Sequence, residues 1–175
     1  MLSIVKSMTL HGLEGFIVDV QVDVAGGLPC WEIVGLPDIS IREAKERVRT
    51  AIKNSGYEFP SRRIVINLAP ATIKKVGSAF DLPIAIAILL ATENINEFDF
   101  ENVAFVGELS LDGNVHSITG ILPMCIEAKK LGIKEIVVPK ENAKEASIVD
   151  EINVIPVSSL NQVVAYLNKS IKIQF

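Results

Sequence analysis

From residue 16 to 24 the chain alternates strictly. Phe16, Val18, Val20, Val22 and Val24 fall on one face and Asp19, Gln21 and Asp23 on the other. A period of two predicts a half-buried strand. Gly26-Gly27-Leu28-Pro29 breaks it, and Cys30–Val34 reads as its partner strand. After the turn Gly35-Leu36-Pro37-Asp38 the period changes. Ile41, Ala44, Val48, Ala51 and Ile52 recur at helical spacing, which predicts a helix over residues 40–55 that Gly56 ends. A strand over 63–68 follows, closed by Ala69-Pro70-Ala71.

Residues 82–92 are apolar almost all round, the pattern of a central buried helix. Asp81 is placed to cap it, and Pro83 fits its first turn. Strands over 103–111 and 115–118 flank Asp112-Gly113, a hairpin signal. Alternating units follow: a helix over 121–131 stopped by Gly132, and a strand over 135–138. Then come a helix over 142–148, a strand over 153–157 and a last helix from Ser158 or Ser159 to Leu167. Strands first and alternating units last predict one α+β or mixed α/β domain, residues 1–175, with helices packed on a mixed sheet.

Composition adds little to this picture. About half the chain is apolar (49%), enough to fill a core, and the net charge of −4 is mild. The longest apolar run, residues 82–91, is shorter than the roughly 20 residues a membrane span needs. The N-terminus lacks the charged-then-apolar order of a signal peptide. A soluble cytoplasmic protein with no membrane partner is expected, with Cys30 and Cys125 as reduced, buried thiols. His11 and His116 stand alone, so no metal site is expected. Trp31 reads as core or edge packing on its strand, with a stacking platform for bases as the lesser alternative. Neither a Walker loop nor a dinucleotide fingerprint occurs. No cofactor is therefore expected in this chain.

Charge distribution changes the picture more. Between residues 41 and 75 nine basic residues face three acidic ones, a net +6, which leaves −10 on the rest. At about 100° per residue, Arg42, Lys45, Arg49 and Lys53 share one stripe beside the helix's core stripe. Arg62, Arg63, Lys74 and Lys75 extend the basic region. Such a stripe suits phosphates or an acidic partner surface. The competing reading is a solvated flank, with Glu43 and Arg47 paired at i, i+4.

Several blocks then occur in a telling order. They are Gly35-Leu36-Pro37-Asp38, Arg47-Val48-Arg49-Thr50-Ala51-Ile52, Asn54-Ser55-Gly56-Tyr57-Glu58-Phe59-Pro60, Asn67-Leu68-Ala69-Pro70-Ala71 and Phe80-Asp81-Leu82-Pro83-Ile84-Ala85. Together they resemble the N-terminal domain of the ComM/YifB family, the magnesium-chelatase-like AAA+ ATPases. The resemblance implies a Lon-protease-type domain, of the fold of domain 2 of ribosomal protein S five, placed before an AAA+ motor. It implies work on DNA in natural transformation, as a hexameric branch-migration helicase that assembles into a ring. ATP and magnesium would belong to the motor, which this chain does not contain. One departure is Val76, where the family carries an acidic residue before the glycine.

Lon proteases cut with a Ser–Lys dyad. Their serine lies in Gly-Pro-Ser-Ala-Gly at the start of the buried helix, and aligning the helices puts Asp81 there, with Ser78 three residues earlier. Their lysine follows Gly-Gly-Leu, and the stretch Thr119-Gly120-Ile121-Leu122 puts Leu122 in its place. Gly132-Ile133-Lys134 and Pro139-Lys140-Glu141-Asn142 hold that alignment in register. Asp81 with Leu122 supplies neither a hydroxyl nucleophile nor an amine to take its proton. The expectation is a non-catalytic module that binds DNA or organises a ring. The alternatives are a purely structural oligomerisation domain and a residual peptidase using Ser78, with Lys74 or Lys75 as base.

Overall fold

A computed structural model describes residues 1–96 and 98–173. The last two residues of the expected domain thus lie outside the described residues. β1 (Leu2–His11) and β2 (Glu14–Ala25) pair antiparallel along their length, with Leu2 opposite Asp23 and His11 opposite Glu14. β1 is not signalled by the alternation, because polar residues occupy part of its buried face. Ser3 and Ser7 are buried there, and their hydroxyls donate to the carbonyls of Ala87 (2.6 Å) and Phe105 (2.7 Å). Buried hydroxyls paired in this way cost little.

β3 (Cys30–Val34) does not pair with β2. It runs parallel to β4 (Arg63–Ala69), and β4 lies between the two. α1 (Ile39–Asn54) forms the crossover that a parallel pair requires. The five apolar residues of its predicted stripe are all buried, and Ile41, Val48 and Ile52 contribute roughly 1.5–3 kcal/mol apiece. Gly35 precedes the helix at φ +101°, where a Cβ would lie 2.3 Å from the Leu68 carbonyl oxygen. Only glycine fits that approach.

α2 (Asp81–Ala91) is buried along almost its whole surface. The chain then forms β5 (Val103–Phe105) and turns away at Val106-Gly107. β6 (Glu108–Leu109) and β7 (Val115–His116) make a separate two-stranded hairpin around Asp112-Gly113. The strand predicted over 103–111 is therefore two elements. α3 (Ile121–Lys130), β8 (Glu135–Pro139), a 3₁₀ turn (Lys140–Asn142), α4 (Ala143–Ala146), β9 (Asn153–Val157) and α5 (Leu160–Leu167) complete the chain.

The main sheet has seven strands in the order β3-β4-β2-β1-β5-β8-β9. Its β5, β8 and β9 are parallel and largely buried on both faces, as crossover units demand. α1, α2 and α5 share one core with the sheet, and α3 and α4 share the other. This is the mixed α/β class that the order of elements predicts. No helix among the described residues is long and apolar enough to cross a membrane.

Candidate functional site

The predicted basic residues separate into two kinds. Arg42, Arg49, Lys53, Arg62, Arg63 and Lys74 are exposed, and Lys45 is half-buried. Among the described residues none of these seven takes part in an ion pair. Lys75 is different: its exposure is 0%. Its ammonium donates to the carbonyl oxygens of Gly35 (2.8 Å) and Pro70, and burial lowers its pKa. Lys75 therefore ties the loop before α2 to the loop before α1. It cannot also serve as a surface cation.

The same two loops are joined again by Asp38. One carboxylate oxygen accepts from the Ile41 N–H (2.9 Å) and caps α1, and the other accepts from the Gly77 N–H (2.9 Å). Backbone bonds from Asp38 N–H to Lys75 O and from Lys75 N–H to Leu36 O complete the seam. The cationic face of α1 is thus anchored at its first turn.

Of the cations, the structure brings Arg49, Lys53 and Arg62 to one groove of 330 Å³. Its walls include Pro29, Trp31 and Phe59, and among the described residues no carboxylate lines it. The Phe59 ring meets Trp31 edge-on at 5.2 Å, and the Arg49 guanidinium carbon lies 5.6 Å from the Phe59 ring centre. That distance is within cation–π range. Arg63 stands beside the groove, since its Cα partner across the sheet is Cys30. Arg42 lies further back along α1, and Lys74 lies on the loop before α2. Sequence reasoning favoured packing for Trp31 over a stacking platform for bases, and it missed Phe59. The available signal was a pair of aromatics on either side of the basic helix, which no single-helix pattern reveals.

Asp81 is not the helix cap. Phe80 holds the cap position without a side-chain bond, and Asp81 is the first helical residue. With 1% exposure, its carboxylate faces Arg47. Arg47 Nε donates at 2.7 Å and its Nη2 at 3.0 Å, while the Leu109 N–H donates at 3.1 Å. Burial pushes the Asp81 carboxyl up to about 6, and Arg47 and the Leu109 N–H pull against it. The hydrogen bond from Arg47 to Asp81 raises the arginine's own pKa. Arg47 also reaches the Ser40 carbonyl (2.7 Å) and, more loosely, Glu43 at 3.8 Å. The expected i, i+4 pair exists, but it is the lesser contact.

Ser78 lies at the wall of a 360 Å³ cleft lined also by Met8, Glu108, Thr119, Gly120 and Met124. Its hydroxyl donates to the Glu108 carboxylate at 2.6 Å. Leu122 sits half-buried in the first turn of α3. Cys125 is buried as expected, but Cys30 is exposed, because β3 is an edge strand. Among the described residues no group of three or more His, Cys, Asp or Glu could hold a metal ion.

A mixed seven-stranded sheet with helices in two layers defines a mixed α/β domain, a class that its likeness to Lon proteases fits. Residues 20–142 match the family model described as subunit ChlI of Mg-chelatase, and the chain belongs to that family. It is 38% identical over 95% of its length to competence protein ComM of Haemophilus influenzae. Over 95% of its length it is 40% identical to the uncharacterized protein YifB of Escherichia coli. The chain spans about a third (33%) of the length of each of these relatives. A Lon protease of Rhizobium meliloti is 32% identical over 73% of the chain, which covers 16% of that protein.

Proposed function

We propose that this chain is a non-catalytic N-terminal module of a ComM/YifB-like, magnesium-chelatase-related AAA+ protein, and that it binds DNA through the outer face of α1. One observation supports this most. Exposed cations without an ion pair among the described residues line one helix, and two of them, Arg49 and Lys53, converge with Arg62 from the segment after it on a groove where no carboxylate is found among the described residues. Each cation that meets a phosphate releases counterions, which favours binding and makes it salt-dependent. In the full-length protein this surface would serve branch migration during transformation, with the domain helping to organise the ring. ATP and magnesium would act in the motor domain. A cytoplasmic location fits that role.

Peptide hydrolysis has less support. The Ser78 hydroxyl donates to a carboxylate, and Lys75, one of the two candidate bases, is held by carbonyls and not by that hydroxyl. Asp81 is occupied by Arg47.

Charge reversal at Arg42, Lys45 and Arg49 tests the DNA reading. Duplex affinity, followed by fluorescence anisotropy, should fall at least tenfold. The slope of log affinity against log salt should flatten by about one for each phosphate that is no longer neutralised. Unchanged affinity and slope would remove the DNA reading and leave a purely structural oligomerisation domain. Light scattering would then examine that reading. A serine-reactive fluorophosphonate that labels the chain, with labelling abolished in Ser78→Ala, would overturn the non-catalytic assignment.

A further inference from the structure

Resting on that DNA reading, we infer that the groove between β3 and the segment 59–62 holds an unpaired nucleotide, with its base against Trp31 and its phosphates against Arg49, Lys53 and Arg62. Size, charge and shape point the same way. The groove's 330 Å³ lies at the small end of the roughly 300–1,000 Å³ found for small-ligand sites. It admits one nucleotide and excludes a duplex.

All three charged residues among those lining it are basic, which selects an anion. The aromatics select a flat partner. Trp31 is half-buried at the groove wall and is braced edge-on by Phe59, which leaves little rotational freedom to lose on stacking. Pro29 and Pro60 stiffen the two chain segments that form the walls.

Paired bases are stacked inside a duplex and offer a protein their edges but not their faces. A recessed tryptophan can meet a base only when the strand is open. The outer stripe of α1 therefore serves duplex and single strand alike, and Trp31 distinguishes them. An acidic peptide without aromatic residues would use the same cations, yet it has no aromatic ring to place on the tryptophan.

Trp31 is the only tryptophan in the chain, so its fluorescence reports the site without substitution. The full chain would be titrated with a dodecamer of thymidylate, with a duplex of equal length and with polyglutamate. Quenching by the single strand, with little change from the duplex, is the expected result. Trp31→Ala should weaken single-strand binding by at least tenfold and leave duplex binding within twofold. Trp31→Phe, which keeps an aromatic face, should retain most of the single-strand affinity and guards against a folding defect.

Single-strand binding without quenching would overturn the stacking site. So would quenching by polyglutamate equal to that by the oligonucleotide, which would identify an acidic-peptide groove. If the duplex still binds through the α1 stripe while Trp31 stays silent, only the stacking site fails. If neither nucleic acid binds, the DNA reading fails with it.

Discussion

α1 and α2 pack against each other on one side of the sheet, yet only α1 has an outside. In α2 every residue except Leu90 is buried. In α1 the same core packing is made by one stripe, and the remaining surface carries the cations together with Glu43 and Glu46. The difference shows where substitution is free. α2 is constrained by packing on all sides, so its one charged residue, Asp81, must be matched inside. α1 can change its outer face without touching the core. A binding surface is more easily kept on the second kind of helix.

Arg47 is where the two regimes meet, and breaking it should have the largest effect. Arg47→Ala leaves the Asp81 carboxylate buried without its main partner. The expected destabilisation is about 3–5 kcal/mol, read by chemical denaturation. A double variant, Arg47→Met with Asp81→Leu, should recover much of it, because an apolar pair needs no partner. Failure to recover would mean that the hydrogen bond from Leu109 N–H to Asp81 carries the stability instead.

Next in size is a pH effect. The Asp81 carboxyl is raised in the folded state from 3.8 to about 6. Its contribution is fully present below the unfolded value and is lost as pH rises through the folded one. Stability should therefore fall by on the order of 2 kcal/mol between about pH 4 and pH 6. Asp81→Asn should flatten that part of the profile. An unchanged slope in the variant would place the titration elsewhere.

Within α2, Ile86→Val should cost about 1 kcal/mol, because Ile86 is fully buried. On α1, Lys53→Ala should stay within about 0.5 kcal/mol of the parent, as unpaired surface positions do. A thermal melt that ranks these two in the opposite order would contradict the contrast between the helices.

The sequence made α1 readable in detail, because one helix buries one stripe and both are local patterns. Ile41 through Ile52 needed no other part of the chain to be assigned. Pairing was less readable. Cys30–Val34 looks like a hairpin partner for β2, but α1 carries the chain across, and β4 takes the place between them. β1 was hidden by Ser3 and Ser7, which are polar by type and buried by virtue of their hydrogen bonds.

The charged positions divide in the same way. The exposed stripe follows from helical periodicity. Lys75 counts as a cation in any sum over the sequence, although its partners lie 40 and 5 residues away. Asp81 reads as a cap until Arg47, 34 residues earlier, is seen beside it. Phe59 joins the groove only because β3, α1 and the segment after α1 converge there.

The two cysteines now have a practical meaning. Cys30 lies exposed at the groove, while Cys125 is buried and burial pushes its thiol up to about 12. Thiolates, and not thiols, react with maleimides. The unaltered chain therefore has one addressable attachment point, and it stands beside Trp31. A fluorophore or spin label placed there would report on strand binding in the folded protein. Appearance of a second labelled site would signal that the core around α3 had opened.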